Sequence, residues 1–190
     1  MCYAIIREKG KTNVRTLLIF VLAAPACVLA QDNPTSAAIK MEFGMARGVL
    51  TRSADKVPEN LYSYKPTDEV RSFGQLVGHV ADAQYTFCSA VTGEKSPMTD
   101  SIEKSKTSKA DLVQALKDAF AYCDKVYNSM TDETGSQMIK FFGRDVDKFG
   151  VLAFNNMHDY EHYGNMVTYM RLNKIVPPSS EAPPPAAKKQ

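Results

Sequence analysis

The 190-residue chain contains three histidines, and each falls at helical spacing among apolar residues. His158 and His162 are four apart in NNMHDYEHYGNM. On a helix, four residues advance about 40° beyond a full turn, so both rings lie on one stripe. Val151, Asn155, Met166 and Tyr169 share that stripe, with spacing that faces an interior. His79 stands between Leu76 and Ala83, three before it and four after, and faces inward with them. A histidine pair at this spacing can grip one metal ion from one helix, and a third imidazole from a facing helix completes a three-nitrogen site. The fourth position is then free for water or substrate. Zinc held in this way, at ~2.0–2.1 Å from each nitrogen, activates a bound water or thiol. Nickel, manganese and iron also accept imidazole nitrogen. A single inward histidine is ordinarily a hydrogen-bonded core residue. Burying three without a shared purpose costs desolvation each time, which favours one common site.

Other chemistries lack their residues. A c-type haem needs C-x-x-C-H, and a di-metal carboxylate centre needs two Glu-x-x-His elements. The sequence reads H-D-Y-E-H where a zinc protease has H-E-x-x-H. Neither a nucleophile elbow nor a phosphate-binding glycine loop is present. Asn155, three before His158, is placed to face the ion or its water; Asp82, three after His79, and Asp159 and Glu161, which flank the pair and point partly sideways, are candidates to accept a ring N–H, although each acid is more often a solvated surface group. No residue is assigned as a general base.

These histidines need helices to position them, and the apolar spacing predicts four. Ile39, Phe43, Ala46 and Leu50 mark a first helix over 35–54. Phe73, Leu76, Val80, Ala83, Phe87 and Ala90 mark a second over 70–91, ended by Gly93. Ser108 is a good N-cap for a third over 109–130, with Leu112, Ala115, Ala119, Val126 and Met130 inward. Residues 131–149 form a break, and the fourth helix runs from 147 or 149 to 174, stopped by Pro177-Pro178. The segment 56–68 reads as an ordered connection whose Tyr62 and Tyr64 pack on the body. No strand pattern stands out. The expected fold is all-α, a four-helix bundle over 31–176, followed by a disordered proline-rich tail over 177–190.

Residues 1–30 have the form of a signal peptide. A basic segment to Arg15 precedes the apolar run Leu17–Ala24, and Val28 and Ala30 fit the −3 and −1 positions of a cleavage site. The run is too short for a bilayer, which needs ~20 apolar residues. Lipid attachment at Cys27 is a minor alternative, because Ala24 stands where a large aliphatic residue belongs. Export to the periplasm or medium leaves Cys88 and Cys123, as a disulfide or as two buried apolar side chains. The net charge of +2 comes from the leader. Beyond residue 30, 19 basic residues meet 20 acidic ones, which gives no electrostatic basis for nucleic acid binding. No stable membrane span is expected after cleavage.

The segments RSFGQLVGHVADAQYTFCSAVTG (71–93) and NNMHDYEHYGNMVTYMRLNKIVPPSS (155–180) resemble the DinB-like (DinB/YfiT) superfamily. The likeness covers about residues 35–180. Its most specific parts are Gly78-His79, the His158/His162 pair, and the closing Tyr-x-Arg-Leu with Pro-Pro-Ser-Ser. The resemblance implies an antiparallel four-helix bundle with a long crossover, often dimeric, and a divalent metal held by His79, His158 and His162. It also implies metal-dependent chemistry, since members include thiol-using transferases and thiol-dependent isomerases. An oxidising compartment holds little reduced thiol, so the export signal sets this chain apart from those cytoplasmic members. The expectation is an exported metal-dependent enzyme, hydrolase-like or thiol-transferase-like, acting on a small molecule. The alternative is a non-catalytic metal-binding or stress-associated helical protein.

Overall fold

The computed structural model describes residues 32–182. The expected signal segment, with Cys27, and residues 183–190 lie outside the described residues. The protein is mostly helical. Helix α1 (Pro34–Lys56) has proline in its first turn, where the missing N–H removes no hydrogen bond. Helix α2 (Phe73–Thr92) starts at a capping box, in which Ser72 Oγ accepts from Gln75 N–H and Gln75 Oε1 accepts from Ser72 N–H. It ends at Gly93, whose φ of 74° is the left-handed cap expected there. A one-turn helix α3 (Ile102–Ser105) follows. Helix α4 (Lys109–Ser129) is capped by Ser108, whose Oγ accepts from Asp111 N–H at 3.1 Å. A second one-turn helix α5 (Asp132–Gly135) leads to strands β1 (Met138–Phe141) and β2 (Arg144–Asp147). Helix α6 (Lys148–Leu172) opens on Asp147, whose side chain accepts from Gly150 N–H at 2.6 Å.

The four long helices fall within a few residues of the limits that periodicity predicts. The hairpin departs from the all-α expectation and fills part of the 131–149 break. Its strands are four residues each, too short for alternation to stand out, and they pair antiparallel from Met138↔Asp147 to Phe141↔Arg144. The turn between them is made by Phe142 and Gly143, with φ of 46° and 75°.

Helix α2 packs on α3, α4 and α6, and α1 packs on α4 and α6. Between the long helices, Phe43, Leu50, Val77, Leu116, Leu152 and Met166 are fully buried. Each such side chain contributes ~1.5–3 kcal/mol relative to exposure. Phe43 stacks on Tyr127 at 4.0 Å between centroids. Tyr62 is buried in the connection after α1 and donates to Ala54 O at 2.6 Å, as its sequence position suggested. The two open readings of the cysteines resolve to a bond: Cys88 of α2 and Cys123 of α4 form a fully buried disulfide with Cα atoms 5.5 Å apart.

The packed chain continues beyond 176. Pro177 and Pro178 are buried, so residues 177–182 of the segment expected to be a disordered tail are packed, while 183–190 lie outside the described residues. The first tail residues have partners that composition does not show. Ser179 N–H donates to Tyr163 OH at 2.9 Å, Arg171 donates to Ser180 Oγ at 2.8 Å, and Lys56 pairs with Glu181 at 2.6 Å. Among the described residues, no helix is long and apolar enough to cross a membrane.

The disulfide spans 35 residues, and in the chain-entropy view it limits the unfolded state by roughly 3–4 kcal/mol. The double variant Cys88→Ser/Cys123→Ser should therefore melt roughly 10 °C lower by calorimetry. Reductant should lower the wild-type Tm similarly. An unchanged Tm under complete reduction would show that the bond does not stabilise the fold.

Candidate metal centre

Helices α2 and α6 build the site together. Their contacts run in opposite chain order. The Tyr169 hydroxyl donates to Arg71 O, His79 meets His158 and His162, Gln84 meets Asn155 and Asp159, and Phe87 meets Phe154. The two helices are therefore antiparallel, and each turn of one faces a turn of the other.

The three imidazoles converge. His79 Nε2 and His162 Nε2 lie 3.1 and 3.0 Å from His158 Nε2. The three rings offer ligand atoms that all lie within 4.8 Å of one another. Bonds of ~2.0–2.1 Å at a tetrahedral centre place nitrogens about 3.3 Å apart, close to the separations of His79 and His162 from His158. The donor set is three imidazole nitrogens with no carboxylate among them, which suits a borderline divalent ion. His162 is buried, whereas His79 keeps 24% of its side chain exposed, so the centre has a solvent side. Burial holds His158 down to about 4 and His162 down to about 3, and neighbouring imidazoles and Arg71 push both the same way. Both rings are neutral at physiological pH, the form that ligates metal.

Behind His79 stands a residue that sequence reasoning missed. Glu103 Oε2 lies 3.1 Å from His79 Nδ1, and Glu103 Oε1 accepts from Arg71 Nε at 2.8 Å. A carboxylate there fixes the proton on Nδ1 and leaves the Nε2 lone pair for a metal. Glu103 belongs to α3, inside a polar segment with no pattern of its own. Its signal lay in α2. A Cβ on Gly78 would come within 2.7 Å of Glu103 Cα and 2.9 Å of Glu103 N. Glycine inside a helix costs ~1 kcal/mol relative to alanine, and here it admits the backbone of α3. This is a physical reason for glycine immediately before His79.

The other sequence candidates go elsewhere. Asp82 does not reach an imidazole. It caps α3, accepting from Ser101 Oγ at 2.6 Å, Ile102 N–H at 2.7 Å and Glu103 N–H at 3.3 Å. Asn155 is buried and donates to Gln84 Oε1 at 2.9 Å and to the Tyr127 hydroxyl at 3.2 Å. Asp159 is also buried and accepts from Gln84 Nε2 at 2.7 Å. Burial pushes its carboxyl well above the usual range, against a smaller opposing effect of the Gln84 hydrogen bond. Glu161 remains on the exposed face.

Glu103→Gln should weaken zinc binding about 10–100-fold by competition titration with little change in Tm. Gly78→Ala should weaken binding and also lower Tm, because α3 must move. Equal zinc affinity in both variants and wild type would remove Glu103 from the centre. Because the folded pKa values of His158 and His162 lie below the ordinary 6.5, the unfolded chain takes up protons first as pH falls. Metal-free protein should lose stability from about pH 6.5 downward to about 3, and the double variant His158→Ala/His162→Ala should show a flatter Tm profile over that range.

Known proteins share this architecture. The protein YjoA of Bacillus subtilis is 28% identical over 137 residues, which is 70% of this chain and 87% of YjoA. Its crystal structure superposes with a TM-score of 0.60, covering 72% of this chain and 92% of that one. A DinB-like protein from Bacillus cereus ATCC 10987 is 16% identical with a TM-score of 0.66, over 75% and 95% of the two chains. The mycothiol-dependent maleylpyruvate isomerase is 15% identical with a TM-score of 0.56, over 69% of this chain and 60% of the isomerase, a likeness of fold. Residues 42–166, which run from α1 through both helices of the imidazole trio, match the DinB superfamily, and the chain belongs to that superfamily.

Proposed function

We propose that this protein is an exported, metal-dependent enzyme acting on a small molecule by hydrolysis or thiol transfer. In this reading, α1, α2, α4 and α6 form an antiparallel four-helix bundle with a long crossover, and the working assembly is a homodimer. One observation carries it: three Nε2 atoms from two facing helices meet around a common point. Three lone pairs brought so close repel one another unless a cation or proton lies between them. Zinc, nickel, manganese or iron would each fit this donor set and, when bound, would lower the pKa of a water or thiol.

The chain's own residues prepare that chemistry. Glu103 and Arg71 hold the His79 ring with Nε2 toward its partners. Burial keeps His158 and His162 unprotonated, so no proton competes at neutral pH. The exposed edge of His79 leaves one side approachable, which favours a reacting site over a closed storage site. The mycothiol-dependent isomerase shows that this fold can serve a thiol-dependent reaction. The buried Cys88–Cys123 disulfide supports export, because such bonds persist in oxidising compartments. An oxidising location in turn favours hydrolysis over transfer to a free low-molecular-weight thiol.

Protein purified without a histidine tag should carry close to one equivalent of divalent metal by elemental analysis. His158→Ala should carry about a tenth of that or less, because one fewer imidazole costs several kcal/mol of binding. Wild-type protein that stays metal-free after incubation with zinc, nickel or manganese would overturn the metal reading. With metal present, ester hydrolysis and thiol transfer, each measured with and without chelator, separate an enzyme from a binding protein.

A further inference from the structure

The hairpin carries a residue that neither the fold nor the imidazole trio explains. Phe142 occupies the first turn position with φ of 46°, in the left-handed region where asparagine, aspartate and glycine are usual. The residue is also 74% exposed. A bulky ring held in strained backbone and left in water gains nothing from turn preference or from burial, which is a pattern associated with binding sites.

The surroundings of that ring are aromatic and lead toward the histidines. Phe142 lies 4.1 Å from Phe141 between centroids, and Phe141 lies 5.6 Å from Phe87. Phe154, itself 46% exposed, lies 5.5 Å from Phe87, and Phe87 packs on His158 at 5.5 Å. Phe141, Phe142 and Phe154, with Val146 and Val151, line an open groove of about 390 Å³, within the size range of small-molecule sites. Phe154, His158 and His162 succeed one another at four-residue intervals on α6. Phe154, at the groove, therefore stands ~6 Å of helix rise from His158, and the buried Phe87 packs on both, so the groove adjoins the trio without being lined by it. Arg144 is the one charged side chain lining the groove. None of the ion pairs among the described residues involves it.

We propose that this groove is the substrate-binding arm of the metal site, and that it takes a small aryl or alkyl carboxylate. The inference rests on the metal-centre reading and names its substrate class. The apolar body lies on Phe141, Phe142 and Phe154, and covering these rings removes apolar surface from water. The carboxylate pairs with the Arg144 guanidinium, whose planar fork matches it and which has no other acidic partner here. The opposite end of the molecule is then directed along α6 toward His158. A neutral analogue keeps the apolar contact and loses the charge pairing.

The test uses 4-phenylbutyrate and its uncharged amide as probes, titrated into the purified protein and followed by two-dimensional NMR, with bound metal measured on the same samples. The acid should shift the signals of Phe142, Arg144 and Phe154 saturably, and the amide should bind about fivefold more weakly or worse. Arg144→Gln should abolish that preference while leaving metal content unchanged. Phe142→Asn should relieve the turn and raise Tm by about 2–4 °C, yet weaken the acid about threefold or more. Four outcomes would overturn the proposal: no saturable shift, equal binding of acid and amide, a preference that survives Arg144→Gln, or a lowered Tm in Phe142→Asn. A dimer in sedimentation velocity that Phe142→Asn dissociates would overturn it too, by giving the groove to a second copy. Retained probe binding in protein that never takes up metal would instead sink the metal reading and leave the groove standing.

Discussion

Bringing three imidazole nitrogens within 4.8 Å of one another, with those of His79 and His162 at hydrogen-bond distance from that of His158, is the constraint on which the rest of the structure turns. Neutral rings in this arrangement present lone pairs to each other, and burial removes the water that would otherwise separate them. Packing alone gives no reason to hold such a group together. Two helices must therefore be fixed in register by something other than the histidines. Gln84 supplies this between α2 and α6, since its amide donates to Asp159 and accepts from Asn155, just beyond the ring contacts. A slip of one helix along the other would break both bonds in a region sealed from solvent, where an unmet polar group costs roughly 1–3 kcal/mol. The layer of Gln84, Asn155, Asp159 and Tyr127 thus acts as a register key for the centre.

The same logic explains why a four-residue helix matters. Helix α3 has too few turns to be stable in isolation. Asp82 satisfies its first N–H groups, and the bare backbone at Gly78 lets it lie directly on α2. Both supporting residues belong to α2, within four positions of His79. One helix therefore carries the ligand, the glycine that admits the support, and the acid that holds the support in place. Glu103 is delivered to His79 by α2 itself, and Arg71, just before α2, completes the line of charges behind the ring.

What could be read from the sequence follows from which interactions are local. Helix limits depend on spacing and on caps such as Ser108 and Gly93, which act over a few residues, and these were legible. So were His79, His158 and His162, because inward spacing on two helices is a local property even when their meeting is not. Glu103 was illegible because its role depends on a contact across 24 residues, in a segment without periodicity. Asp82 and Asp159 were candidates for the wrong partners, and Asp159, expected partly sideways, is fully buried, since direction on a helix does not say what stands opposite. The hairpin escaped notice because strands of four residues give alternation no room. The tail misled through its prolines. Composition reports that the α-helix stops before Pro177, but not that Tyr163, Arg171 and Lys56 wait to receive the chain beyond it.

Helix α6 shows what such a site demands of a fold. Its inner face carries Asn155, Asn156, Asp159 and His162 where a structural helix would carry leucine or valine. Each polar substitution forgoes some of the ~1.5–3 kcal/mol that a large buried apolar side chain supplies. The loss is offset elsewhere: α2 is apolar along most of its length, and its Cys88 is bonded to α4. Stability and chemistry are thus divided between the two helices that meet at the histidines. The helix with two of the ligands is the weaker packer, and the helix with one ligand anchors the core. Loosening of the centre should therefore begin on the α6 side, where the exposed Phe154 and Met157 already adjoin His158, while His79 remains fixed by the core beneath it.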